Sequence, residues 1–410
     1  MDKQKEINTK LIGFIIKHER KKKKISASKL AMSIKKSRQY VSDIEKGVKT
    51  TSNVTITEIF NFLNIKFVYQ ECVEVQEVFH KFIDYFYLRD IPNAINRLAA
   101  IISNDTYRHT YDYPLVVLSE FIFQELTHQK NMIDEELIDF LDDEKKCIFL
   151  YFKAMSYFNK KKYTETLSIL KEAKKYMIFS VKFQGLIYSA KALIYDKLSD
   201  YLKSLELNKL ALKEFSKDHN IERSLTCSFQ IANIYSKLGK LKEAIDLYGE
   251  IMKDAKRFRI QRIVDLINCN LAMTYLYNYQ FHEAIKIAEA YVNYGTYKQD
   301  YCFILAWSYY EIGEKEKSKF YLDKLMEYEN LESFLQCTIV LLSLLLQNNL
   351  RNDLYQTYLS QIVEDVINYE LLPDKIFIIK HAIKFNESIK NYMQAFEYAN
   401  LLNSLLEKRI

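Results

Sequence analysis

Apolar residues recur along this chain at helical rather than strand spacing. Ile12, Ile15 and Ile16 fall at i, i+3 and i+4, predicting a first helix with one buried face. Ser26 precedes ASKLAMSI and Ser37 precedes RQYVSDIEK. A serine hydroxyl can accept from the exposed N–H groups at a helix start, so both serines read as N-caps. Two short helices about eleven residues apart follow, with Leu30, Ala31, Ile34, Val41 and Ile44 turned inward. That is a helix-turn-helix, with Ala31 small where its helices cross. The stretch 53–65 (NVTITEIFNFLNI) predicts the closing helices, and Asn64 suits a left-handed helix end.

Beyond this segment the pattern becomes a repeat. The motif A-x-x-Y occurs at Ala154-Tyr157, Ala192-Tyr195, Ala232-Tyr235, Ala272-Tyr275 and Ala306-Tyr309, with spacings of 38, 40, 40 and 34 residues. Twelve residues after each alanine stands a small residue: Thr166, Ser204, Ala244, Ala284 and Ser318. Small residues at both points let two antiparallel helices touch closely, with the tyrosine filling the space beside them. Each repeat therefore reads as helix, short turn, helix. A weaker repeat is predicted at 373–410, around Tyr392 and Ala395, and two more helix pairs at 74–142. The total is eight or nine pairs, forming a right-handed superhelix with a concave face.

Composition narrows the picture further. The chain has 410 residues but only 7 Gly and 3 Pro, where average usage would give roughly 29 and 20. That excludes collagen-like, Pro-rich and loop-rich β architectures. It also leaves no G-x-G-x-x-G or G-x-x-x-x-G-K-[ST] phosphate loop. No apolar run approaches the roughly 18 residues a membrane helix needs; the longest candidate is Thr338–Leu346. The N-terminus is charged, without the apolar segment of a signal peptide. A cytosolic protein is expected. The six cysteines (72, 147, 227, 269, 302, 337) form no C-x-x-C pair and read as reduced, mostly buried thiols. The seven histidines are dispersed, and neither H-E-x-x-H nor G-x-S-x-G occurs. No catalysis, cofactor or metal site is expected.

The charge is unevenly distributed. The net charge is +6, yet residues 1–50 alone hold 15 Lys/Arg against 5 Asp/Glu, a net of +10, and the remaining 360 residues carry −4. A basic terminal module on a slightly acidic body suggests a polyanion-binding head. Its densest part, Arg20–Lys24, reads either as phosphate contact or as a solvated helix end.

Residues 8–66 resemble the Cro/C1-type (XRE) helix-turn-helix domain through Arg20, Leu30, Ala31, Ser37, Val41, Ile44, Glu45 and Gly47. The resemblance implies an Arg20–Glu45 pair that is structural, and a left-handed Gly47 ending the recognition helix. The sequence departs at Ala27, where the family has Gln, and at Lys35, where the turn usually has Gly. It implies base reading by Arg38, Gln39 and Asp43, with Lys36, Lys46, Lys49, Thr50 and Thr51 on phosphates. One module is too small for tight operator binding, so a homodimer on paired half-sites is expected.

The repeats, in turn, resemble tetratricopeptide (TPR) repeats, most clearly over 146–330. Head and body together resemble the RRNPP peptide-pheromone sensors (Rgg, Rap, NprR, PlcR and PrgX). The fold implied is all-α: a helix-turn-helix domain (1–66), a linker (67–75) and a TPR-like α-solenoid (76–410) for peptide binding and dimerisation. The function implied is a cytoplasmic quorum-sensing regulator that binds operator DNA and is switched by a short imported peptide. The alternative is a DNA-binding adaptor whose body binds a protein partner, such as a response regulator.

An extended peptide has backbone donors and acceptors to satisfy, and Asn or Gln supplies both. On the first helix of each pair, away from the Ala/Tyr ladder, the candidates are Gln230 and Asn233, Asn268 and Asn270, then Trp307 and Tyr310. Trp307, the sole tryptophan, reads as either core or groove lining. Lys153 and Lys191 are candidates for a peptide carboxylate.

Overall fold

The computed structural model describes residues 2–66, 72–129, 135–329, 331–346, 352–367 and 372–407. It is all-α, with no strand among the described residues. The chain divides into two compact units, 1–184 and 185–410.

The first unit opens with α1 (Asp2–Lys22), α2 (Ala27–Ser33), α3 (Arg38–Glu45) and α4 (Asn53–Phe62). Of the expected linker, 67–71 lie outside the described residues, and Val73–Val75 already form the first turn of α5 (Val73–Tyr87). Helix α5 pairs with α6 (Ile91–Ser103). The second pair expected before residue 142 is incomplete. Helix α7 (Tyr113–Leu126) is followed by a 3-10 segment, Glu135–Phe140, rather than a second α-helix. Then come α8 (Asp143–Asn159) and α9 (Tyr163–Ala173).

Helix α10 (Val181–Lys197) contains the boundary between units. The second unit continues with α11 (Tyr201–Lys217), α12 (Ile221–Lys237), α13 (Leu241–Arg257), α14 (Gln261–Tyr277) and α15 (Phe281–Tyr291). After these come α16 (Lys298–Glu311), α17 (Lys315–Met326), α18 (Ser333–Leu346), α19 (Asn352–Ile367), α20 (Leu372–Ser388) and α21 (Tyr392–Glu407). The last two are the helix pair expected from 373–410. No helix among the described residues is long and apolar enough to cross a membrane.

The ladder predicted from the repeat is the core of these pairs. Ala154, Ala192, Ala232, Ala272 and Ala306 are all fully buried, as are Thr166, Ser204, Ala244, Ala284 and Ser318. The hydroxyl residues among them need an acceptor, since a buried donor left unpaired is costly. Ser204 Oγ donates to the carbonyl of Ala192 at 2.8 Å, and Ser318 Oγ to that of Ala306 at 2.8 Å. Thr166 instead donates to Lys162 in its own helix. The tyrosines sit at the edge of the ladder, each except Tyr275 beneath a lysine at the start of the following helix. Lys203 lies 4.6 Å above Tyr195, Lys317 5.0 Å above Tyr309, and Lys162 and Lys240 just under 6 Å above Tyr157 and Tyr235.

Seven residues after each ladder alanine the backbone is left-handed: Lys161 (φ 58°), Ser199 (61°), Gly239 (76°), Tyr279 (62°) and Gly313 (86°). This conformation ends the first helix of every such pair and starts the turn. The scarcity of glycine thus coexists with a glycine-type backbone, held at three of five turns by residues with a Cβ. A left-handed non-glycine residue costs roughly 1–2 kcal/mol. Ser199→Gly is therefore expected to raise stability by about 1 kcal/mol, read as a higher urea midpoint with an unchanged slope.

Candidate functional site

The head is built as its caps require. Ser26 Oγ accepts from the Lys29 N–H and Ser37 Oγ from the Tyr40 N–H, each at 3.1 Å. Arg20 grips Glu45 with two bonds, Nε to Oε1 at 2.6 Å and Nη2 to Oε2 at 2.9 Å, and its Nη1 donates to the carbonyl of Ile25 at 2.7 Å. The Glu45 side chain is 7% exposed. The bond to Glu45 raises the Arg20 pKa above its ordinary value despite opposing desolvation. Gly47 is left-handed (φ 64°), Lys35 takes the turn conformation at φ 54°, and Asn64 ends its helix at φ 52°. Helices α1 and α3 cross closely at Gly13, which the sequence reading missed: a Cβ there would stand 2.3 Å from the Ile44 carbonyl oxygen.

This frame presents the start of α3. Arg38 and Gln39 are exposed and Asp43 half-buried. Gln39 Nε2 donates to Asp43 Oδ1 at 2.7 Å, so two of the three candidate readers are joined. Lys36, Lys46, Lys49 and Thr50 are exposed. Tyr40 gathers part of this set: Lys49 Nζ lies 4.4 Å from its ring centroid, Lys36 Nζ 5.7 Å away, and its hydroxyl bonds Thr51. Its position on the third residue of the recognition helix was the available signal for that role.

The basic run is partly committed to the fold. Arg20 is taken by Glu45. Lys22 bonds Glu120 on α7 at 2.7 Å, and Lys23 bonds the carbonyl of Leu63. Glu120 also pairs with Arg108, and these cations hold its carboxyl below the usual range despite burial. Helix α1 is tied to α7 a second time. Tyr113, fully buried, donates to Glu19 at 2.6 Å, and its hydroxyl oxygen lies 2.7 Å from His18 Nδ1. Desolvation and the Glu19 carboxylate hold the Tyr113 pKa well above its ordinary value.

The groove candidates lie on the first helices of the third, fourth and fifth ladder pairs. Gln230 is half-buried. Asn233 Oδ1 accepts from Tyr248, and Asn270 Nδ2 donates to the Leu266 carbonyl at 3.0 Å. Asn268 is 7% exposed, with a buried Nδ2 that has no partner among the described residues. Trp307 is 1% exposed, its ring 4.7 Å from His381, 5.0 Å from Phe377 and 6.1 Å from the half-buried Tyr310. It is core, and no surface of it is open to a ligand in this arrangement. Lys153 pairs with Glu135, and Lys191 is half-buried.

Helix α20 is what covers Trp307. Tyr277 donates to Asp374, His381 Nε2 meets Glu311 Oε1 at 2.8 Å, and Lys384 lies 3.5 Å from the same carboxylate. Tyr277 and Glu311 each follow a ladder tyrosine by two residues. That is about 200° around a helix, so α20 lies on the face away from the ladder. Burial pushes the Asp374 carboxyl up to about 6, against the bond from Tyr277 and the attraction of Lys237; burial likewise raises Asp300 to about 6. Glu311 is held below its ordinary value, because His381 and Lys384 outweigh its burial.

The residues 16–70 match the helix-turn-helix family HTH_3. No curated protein sequence matches the chain significantly. Among solved structures, Rap protein complexed with Competence and Sporulation Factor aligns over 82% of this chain and 98% of its own, at 15% identity and TM-score 0.64. The apo quorum sensor NprR from B. thuringiensis aligns over 81% and 99%, at 14% identity and TM-score 0.62. NprR in complex with its cognate peptide NprX aligns over 81% and 99%, at 17% identity and TM-score 0.58.

Because the folded pKa of Asp374 is raised, its ionisation opposes folding above about 6, and that penalty is relieved as pH falls toward 3.8. Asp374→Asn is therefore expected to stabilise the protein at pH 7.5 by on the order of 1–3 kcal/mol, with the gain shrinking by pH 5 in urea titrations at the two pH values. Taken together, these comparisons match residues 16–70 to a helix-turn-helix family and the fold of the chain to that of Rap and NprR.

Proposed function

We propose that this chain is a peptide-responsive transcriptional regulator whose head reads operator DNA through α3 and whose repeat body receives a short signalling peptide. One observation carries the reading: a capped, ion-pair-braced recognition helix with Arg38 and Gln39 exposed, on the fold of a sensor solved with its cognate peptide. In the major groove, Arg38 would pair bidentately with guanine and Gln39 with adenine. Asp43 would accept from cytosine, or hold Gln39 as it does in the free head. Lys36 and Lys49, gathered at Tyr40, together with Lys46 and Thr50 would reach phosphates. The protein acts in the cytoplasm as a homodimer on two half-sites.

In the body, Gln230, Asn233 and Asn270 are half-buried and offer amide groups to a peptide backbone. The adaptor reading, with a protein partner and no pheromone, is favoured by the cover that α20 places over Trp307. Native mass spectrometry with the low-mass fraction of spent host medium separates the two. One bound peptide per protomer is expected; DNA-binding dimers that repeatedly take up no peptide would favour the adaptor.

Arg38→Ala is expected to abolish specific operator binding while leaving the thermal transition unchanged. Equal affinity and specificity in a gel-shift titration would remove the reading role. Operator affinity should also fall steeply with salt. Asn270→Ala should weaken peptide binding by roughly 1–3 kcal/mol, measured by calorimetry against the peptide identified above.

A further inference from the structure

The face that should receive a ligand already has an occupant. Helix α20 lies across α14 and α16, bringing Phe377 to 5.2 Å from Tyr277, 6.2 Å from Phe303 and 5.0 Å from Trp307. Around this aromatic contact stand two polar ones, Tyr277 with Asp374 and Glu311 with His381 and Lys384. Farther along, Ile376 and Leu405 pack on Tyr201 and Ile234. The polar contacts join residues 70 to 97 positions apart in sequence. Tyr277 and Glu311 use the face opposite the ladder, so their contacts with α20 are additional to the packing within their own helix pairs.

We infer that α20 is a displaceable internal occupant of the face formed by α14 and α16, and that the ligand replacing it is a peptide with a large apolar side chain for the Tyr277–Phe303–Trp307 box and a cation for Glu311. The chemistry follows from what α20 would leave behind. Without Phe377 the box is an apolar hollow walled by three aromatic rings. Without His381 and Lys384, Glu311, whose side chain is 15% exposed, would remain a mostly buried carboxylate without those cations, which is strongly unfavourable. A peptide lacking a cation could not restore that balance. The competition also lowers apparent affinity by the fraction of chains in which the face is open. The inference rests on the peptide reading for the nature of the displacing ligand alone; the opening of α20 is a property of this chain.

The tests keep these parts separate. In the wild-type chain, hydrogen exchange read by mass spectrometry should show α20 amides exchanging at least tenfold sooner than those of α14 and α16. Exchange in step would mean that α20 opens only with global unfolding, and would overturn the inference. Trp307, the only tryptophan, reports from within the box. In full-length Phe377→Ala, acrylamide quenching of its fluorescence should rise several-fold while far-UV circular dichroism stays native; unchanged quenching in a folded variant would count against it. Should that variant fail to fold, the wild-type exchange experiment decides.

The ligand class is probed with a labelled synthetic peptide of residues 372–388. It should bind Phe377→Ala at least tenfold more tightly than wild type, and lose that binding when its own phenylalanine at 377 is replaced by alanine. Equal binding to both chains, or none to either, would overturn it. None of these readouts needs a pheromone or DNA, so they succeed or fail independently of the mass-spectrometry result.

Discussion

The close approach of an alanine to a small residue twelve positions later fixes the rest of the body. With both members fully buried, the two helices of a pair meet with almost nothing between them. That contact leaves the tyrosine no place but the edge, where at four of the five positions a lysine from the next helix covers its ring. It also decides which face is left over. Residues two places beyond the ladder tyrosine point away from the pair, and there Tyr277 and Glu311 meet α20. A bulkier residue at Ala272 or Ala306 would thus disturb packing within its pair and the aim of the residues on the far side.

The head depends on a different device. Its helices are short, and the Arg20–Glu45 pair ties the end of α1 to the end of α3. Breaking such a buried pair on one side strands the other charge, so the recognition helix is held by electrostatics as well as by Val41 and Ile44. The same helix α1 then binds α7 through Glu19, Tyr113 and Lys22. A residue pattern that looks like generic positive charge therefore serves two purposes. Part of it fixes the head within its unit, and part remains exposed around α3.

What the sequence made legible follows from how local each feature is. The ladder, the serine caps and the left-handed ends at Gly47 and Asn64 are set within a dozen residues and were read correctly, whereas the left-handed turns of the repeats, mostly at residues with a Cβ, were not anticipated. The Arg20–Glu45 pair spans 25 residues and came through the family resemblance. The run Arg20–Lys24 stayed ambiguous because Lys22 and Lys23 find partners 98 and 40 residues away. Trp307 was ambiguous for the same reason: its burial depends on Phe377 and His381, and nothing in its own helix announces them. Gly13 was legible in principle, as a glycine inside a helix, but its cause lies in the backbone of Ile44.

The left-handed turns have a mechanical consequence. Pairs closed by Gly239 and Gly313 carry no steric penalty there, while those closed by Lys161, Ser199 and Tyr279 each hold backbone strain. In an array whose stability is a sum over units and their neighbours, such differences are felt locally. A chain of this kind is not a uniform spring: under tension, its links give way in an order written by a few turn residues rather than by position along the thread.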